Sequence, residues 1–155
     1  MNSHEYAAEE LLRRFSPPSH PLAVPVPVDL VAGWMGFQVV PVWGSGLEFS
    51  GLVTTTHKLI AVNGYHHRHR QRFSIAHELG HAALGHAAHA GAGDRNRSDD
   101  READLFAAAL LVPRLLVMDA LAVSPGIDAL AARFDVSSEV LRIRMNTLRL
   151  LPYSV

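Results

Sequence analysis

The apolar positions of the first half change period repeatedly along the chain. Glu5 to Phe15 mixes apolar and charged residues in a pattern that predicts a helix, closed by Ser16-Pro17-Pro18 because consecutive prolines cannot continue one. After a proline-rich connection, Val28 to Met35 reads as a short apolar helix ending near Gly36. Phe37 to Trp43 reads as a strand, and Gly44-Ser45-Gly46 as a turn signal. Two more strands are expected at Gly51 to Thr55 and Lys58 to Asn63, where β-branched and apolar residues dominate and Thr56-His57 suits a tight connection. The expected first half is two helices followed by a three-stranded antiparallel meander.

From Arg70 onward the spacing turns helical and the composition becomes rich in Ala and Leu. Helices are expected over Arg70 to Leu84, Asp99 to Leu111, Arg114 to Leu121, Ile127 to Phe134 and Ser137 to Leu148. His86 to Ser98 lacks apolar periodicity and is expected to be a mobile loop between two helices. The last two helices form a helix-turn-helix-like pair, with Ser137 as the N-cap of the second and Arg142, Arg144 and Arg149 on it. The expected class is α+β: a small antiparallel sheet packed on one long helix, with a mostly helical C-terminal half. Residues 1–121 would form the main domain and residues 122–155 a helical subdomain packed on it.

Composition narrows the chemistry. The chain has 155 residues, enough for one core, and a formal net charge of −1, so no general basic surface favours nucleic acid. DNA binding by the tail is therefore the less favoured of its two readings, the other being packing on the core and docking of a protein partner. Without cysteine, a transition metal would have to be held by imidazole and carboxylate, which suits zinc; ten histidines make that set available. The N-terminus carries charged residues and no apolar run reaches membrane-spanning length, so a cytoplasmic protein without a membrane partner is expected.

The strongest chemical signal is His77-Glu78-Leu79-Gly80-His81. Residues four apart on a helix stand one above the other, so two imidazoles can meet one ion. Glu78, turned about 100° from His77, can take a proton from an attacking water and pass it to a leaving amine. Chance placement of this chain's histidines and glutamates yields about 0.03 such strings, and the surrounding Phe73, Ile75, Ala76, Leu79, Ala82 and Leu84 place the motif on a buried helix. Gly80 would let another backbone approach closely. A catalytic ion also needs a third ligand. Glu102 shares an apolar stripe with Leu105, Phe106, Ala109 and Leu110, where a carboxylate is costly unless a cation compensates it. Asp99, Asp100 and Asp104 compete with it, and one acid could instead orient a histidine through its second ring nitrogen. Tyr65 or a histidine of the run 66–72 is a candidate oxyanion stabiliser. The run itself reads as a solvated loop leading into the helix, and His57, His86 and His89 read as surface residues.

The block Arg70-Gln71-Arg72-Phe73-Ser74-Ile75-Ala76-His77-Glu78-Leu79-Gly80-His81, with Glu102-Ala103-Asp104-Leu105-Phe106-Ala107-Ala108-Ala109-Leu110-Leu111-Val112-Pro113, resembles the ImmA/IrrE metallopeptidase family. The resemblance covers about residues 50–113. It implies a gluzincin-like site with one zinc ion, or manganese in the cell, on His77, His81 and Glu102, with Glu78 as general base. It also implies cleavage of a helix-turn-helix repressor. In zincins generally the strand beside the active helix receives the peptide by β-augmentation, which makes Leu59, Ile60, Ala61, Val62 and Asn63 the candidate substrate strand. At this length the resemblance is expected to be to the compact mobile-element versions rather than to the longer radiation-response members with a further sensor-like domain. A non-catalytic anti-repressor or antitoxin-type protein retaining a metal site is the alternative, and retention of Glu78 speaks against it.

Overall fold

A computed structural model describes residues 2–44, 51–54, 56–86, 96–123 and 126–151. The expected loop over residues 86–98 lies mostly outside these, with His89. Helix α1 (Ser3–Phe15) buries Ala8, Leu11 and Leu12 along one face. It stops at Ser16, whose N–H donates to the Leu12 carbonyl, because Pro17 and Pro18 offer no further donors. Helix α2 (Val28–Trp34) buries Val28, Val31 and Ala32 and ends at Gly36, whose φ of 89° only glycine adopts without strain.

Three strands form one sheet, β1 (Gln38–Val42), β2 (Gly51–Thr54) and β3 (Leu59–Asn63), in the order β1-β3-β2. β2 and β3 form the expected antiparallel hairpin, turned through Lys58 in the left-handed region at φ 51°. β1 instead pairs parallel with β3, Gln38 opposite Leu59 through Val42 opposite Asn63. The sheet is therefore mixed, and the expected antiparallel meander is corrected. Strand spacing and turn residues report which segments extend, but they do not report which edge of β3 each neighbour takes.

Helix α3 (Arg68–Ala83) lies against this sheet and crosses α4 (Arg97–Leu111) closely. Gly80 makes the crossing possible, since a Cβ there would stand 3.2 Å from the Ala103 Cα and 3.0 Å from the Phe106 ring. The close approach expected at Gly80 is thus found, with the small side chain of Ala103 on the other side. Helix α4 buries Ala103, Phe106, Ala107, Leu110 and Leu111, the stripe that joins α1 and α3 into one core.

Helices α5 (Arg114–Val123), α6 (Ile127–Phe134) and α7 (Ser138–Thr147) complete the chain, and Leu130, Phe134, Leu141 and Met145 enter the same buried cluster as Leu11, Ile60 and Phe106. Asp135 ends α6 in the left-handed region at φ 55°, and the Ser137 hydroxyl caps α7 by accepting from the Val140 N–H, as its position predicted. Arg144 is 2% exposed; its guanidinium donates two hydrogen bonds of 2.6 Å to the Glu5 carboxylate and one to the Val112 carbonyl at the end of α4. One of the three tail arginines is thereby committed to the core. No single helix among the described residues is long and apolar enough to cross a membrane.

Candidate metal centre

Helix α3 delivers His77, Glu78 and His81 from consecutive turns, and the first turn of α4 delivers Asp100. His77 Nε2 and His81 Nε2 are 3.0 Å apart, His81 Nε2 and Asp100 Oδ1 are 3.0 Å apart, and His77 Nε2 and Asp100 Oδ1 are 3.3 Å apart. Tetrahedral coordination at zinc's usual bond lengths separates ligand atoms by about 3.3 Å. The three atoms therefore already stand at ligand spacing, and among the described residues they form the one group of three or more potential ligands.

Hydrogen bonding on the outer side of each ring accounts for why these atoms face inward. Asp104, one turn beyond Asp100 on the same face of α4, lies 2.7 Å from His77 Nδ1. An ionised carboxylate only accepts, so His77 carries its proton on Nδ1 and presents the Nε2 lone pair to the centre. His81 Nδ1 lies 2.9 Å from His86 Nδ1, which leaves His81 Nε2 pointing to the same spot. Lone pairs from two imidazoles and a carboxylate at such distances repel one another unless a cation sits among them. The donor set is N, N and O with no sulfur, which fits zinc and admits manganese.

Burial works to lower the His77 pKa, but the hydrogen bond to Asp104 and the negative charges of Glu78, Asp104 and Asp100 outweigh it and hold the imidazole above its ordinary value. The pocket thus favours positive charge, whether proton or metal. Glu78 is 1% exposed and lies under β2: a Cβ at Gly51 would meet its Cγ at 3.2 Å and its Oε1 at 3.3 Å. Glycine at position 51 leaves room for this carboxylate beside the centre.

The expected third ligand, Glu102, is not the acid brought to the imidazoles. Its carboxylate accepts from His86 Nε2 at 3.0 Å and is half-exposed, whereas Asp100 shares a face with Asp104 and meets both rings. A stripe of apolar positions tells which side of α4 is buried, but not which acid on its shoulders reaches a histidine. Asp99 is 3.6 Å from His86 Nε2 and stands at the margin. Tyr65 is exposed; its backbone N–H donates to the Asn63 side chain, and no contact of its phenol with the centre is seen among the described residues. Leu59 to Asn63 are corrected as the substrate strand: β3 is the middle of the sheet, paired along its length with β1 on one edge and β2 on the other. A strand bonded on both edges has no row of free backbone groups to offer.

Two features were missed in the sequence. His86 is not a surface residue, since its side chain is 8% exposed and both ring nitrogens are engaged. The run before the motif is not a solvated loop either. Arg68, His69 and Arg72 occupy the first turns of α3 and converge on the Asp135 carboxylate, while Arg72 also donates to the carbonyls of Asp135 and Val26. A cavity of about 660 Å³ lined by Asp29, Val39, Pro41, Gln71 and Ile75 lies along this part of α3, and it includes none of the histidines of the metal centre.

Two imidazoles one helical turn apart, set edge to face, and an intervening glutamate on one helix, with carboxylates on the next helix and a small sheet alongside, form the kind of arrangement that metallopeptidases use. The chain belongs to the peptidase family described as IrrE N-terminal-like domain (Peptidase_M78), whose profile matches residues 43–146. That match runs through the boundary expected at residue 121. Among solved structures, a Mycobacterium tuberculosis transcriptional regulator has a similar fold, with a TM-score of 0.68 and 20% identity over 99% of this chain. This chain spans 49% of that protein. No curated protein sequence matches significantly.

Proposed function

We propose that this chain is a metal-dependent endopeptidase acting on a protein substrate of the helix-turn-helix repressor class. The observation that carries the reading is the convergence of His77 Nε2, His81 Nε2 and Asp100 Oδ1 within 3.3 Å, next to the buried Glu78. When bound there, a zinc ion supplies Lewis acidity that polarises a peptide carbonyl and acidifies water. Glu78 accepts the proton of the attacking water and returns it to the leaving amine, so that one side chain serves as base and then acid. Asp104 holds His77 in the tautomer that presents its Nε2 lone pair inward.

The substrate would lie along β2, whose strand partner among the described residues is β3 alone and whose Gly51 borders Glu78. An extended peptide on that edge brings its backbone past the proton-transfer group. The repressor class rests on the family resemblance, and the transcriptional regulator of similar fold is compatible with it.

As the side chains stand, Asp100 is the acid beside both imidazoles, while the resemblance implies Glu102 as third ligand, two residues away and in contact with His86. Zinc titration of Asp100→Ala and Glu102→Ala separates them, because the true ligand's loss weakens binding far more than the other's. For the activity itself, the zinc-loaded protein is incubated with a repressor encoded beside it, and the products are read by mass spectrometry. One defined cut is expected, and Glu78→Gln should bind zinc normally yet cut at least about 10²-fold more slowly. Undiminished cutting by Glu78→Gln would refute the enzymatic reading. Repressor binding without cleavage would instead support a non-catalytic anti-repressor.

A further inference from the structure

The geometry points to a ligand site in the cavity between β1 and the N-terminal half of α3, suited to a small zwitterion with an apolar body: a free amino acid or a short peptide with apolar side chains. The inference stands apart from the metal-centre reading, because the cavity lining includes none of His77, Glu78, His81 and Asp100.

Regular spacing in two elements builds most of the lining. Arg68, Gln71, Arg72 and Ile75 stand at i, i+3, i+4 and i+7 on α3 and so share one face of the helix. Val39 and Pro41 alternate along β1 and share one face of the sheet, and Val62 of β3 stands opposite Pro41 in register. With Ile75 these side chains form an apolar floor that offers a ligand no hydrogen-bonding side chain. A volume of about 660 Å³ is that of a small-molecule pocket. Asp29, in the first turn of α2, completes the lining.

The charged groups around this floor carry both signs. Arg72 is committed to the fold, donating from Nε to the Asp135 carbonyl at 3.1 Å and from Nη2 to the Val26 carbonyl at 3.0 Å. Arg68 is not: its side chain is 71% exposed, and only part of its fork is used, on an Asp135 carboxylate that Arg72 and His69 also engage. Two guanidiniums around one carboxylate leave this wall positive. Asp29 is exposed, and its carboxylate has no hydrogen bond or ion pair with another described residue. Burial pulls the Arg72 pKa down and Asp135 opposes it, while Arg68 pulls it further down and Asp29 opposes that, so Asp29 acts on the same wall. A phosphate or a plain organic anion would meet Asp29 as a like charge, and a plain amine would meet the guanidiniums as one. A molecule with a carboxylate for Arg68 and an ammonium for Asp29 satisfies both, and its apolar body covers Val39, Val62 and Ile75. An internal stretch of a protein chain carries neither terminal charge, which separates this ligand from the substrate segment placed along β2.

The test titrates the full chain with L-leucine and with L-leucyl-L-leucine into the millimolar range and follows the methyl resonances of Val39, Val62 and Ile75 by nuclear magnetic resonance. Saturable shifts at these three are expected, and the tighter of the two probes tells a free amino acid from a short peptide. Isocaproate, which lacks the ammonium, and isoamylamine, which lacks the carboxylate, should each bind about 10-fold or more weakly than L-leucine. Arg68→Gln should abolish the advantage of L-leucine over isoamylamine, and Asp29→Asn its advantage over isocaproate; both residues are exposed, so both variants should keep the wild-type spectrum elsewhere. The absence of saturable shifts with both zwitterions would overturn the proposal. So would isocaproate or isoamylamine binding as tightly as L-leucine, or L-leucine affinity unchanged in both variants.

Discussion

Replacing Glu5 by Gln isolates the buried ion pair that fastens the tail to the core. Arg144 is 2% exposed, its side chain is bonded by two 2.6 Å contacts to Glu5, and Glu5 itself is 7% exposed. Removing the carboxylate charge leaves a guanidinium out of water with the Val112 carbonyl and a single neutral amide oxygen to receive it, and turns the other contact into donor against donor; such a break costs about 3–5 kcal/mol. For a chain of this length each kcal/mol lowers the melting temperature by about 2–4 °C, so a fall of about 6–20 °C is expected. The pH dependence has a definite sign. The Arg144 hydrogen bond, opposed by burial and assisted by the charge of Arg144, sets the Glu5 pKa below its ordinary value. Between that depressed value and the ordinary one of about 4.3, the unfolded chain binds more protons than the folded one, so stability rises with pH across the window. The contribution is complete above the unfolded pKa and is lost as pH falls through the folded one. Urea unfolding of wild type and Glu5→Gln from about pH 7 down to 3 measures both effects: the curves should converge in acid. A difference under about 0.5 kcal/mol at neutral pH would refute the assignment of Arg144 to the core and return it to the surface as a possible phosphate contact.

Three further outcomes follow from the same geometry. Gly80→Ala drives a methyl to within 3.2 Å of the Ala103 backbone and should destabilise the fold by about 1–3 kcal/mol in denaturant titrations, with an unchanged midpoint counting against the close helix crossing. Asp104→Asn keeps the shape behind His77 but can present a donor where an acceptor is needed, and isothermal titration should find zinc affinity reduced about 10–100-fold. Zinc at about one hundred times its dissociation constant should raise stability by about 2.7 kcal/mol, and this gain should vanish in a His77→Ala, His81→Ala double variant.

Local patterns in the sequence were sufficient for nearly every element. Helix α6 was read with its own boundaries, and α3, α4 and α7 to within two residues at each end, because caps and apolar stripes are decided within a few residues. The imidazole pair was legible for the same reason: i and i+4 adjacency is a property of one helix. What required the structure were pairings across long separations. Parallel β1 and β3, Asp100 rather than Glu102 against the rings, and Asp135 beneath Arg68, His69 and Arg72 each join segments whose meeting no local periodicity records. His86 was misjudged because it follows the helix end, where histidines are commonly wet; the signal available was Gly85, whose left-handed turn sends the next residue back over the helix.

These long-range contacts also give the C-terminal helices a part in the site. Asp135, at the turn between α6 and α7, gathers side chains from the first two turns of α3, and Arg144 on α7 ties the end of α4 to α1. The two helices that meet at the metal centre are thus each held from outside it, α3 at its N-terminus and α4 at its C-terminus. Ligand atoms 3.0–3.3 Å apart tolerate little relative sliding of those helices. A helix-turn-helix-like pair that spends Asp135 and Arg144 on inward contacts keeps Arg142 and Arg149 exposed but loses the buried Arg144 as a contact for nucleic acid. Its physical effect is to set the relative position of α3 and α4, which favours a role in building the centre over a role in reading DNA.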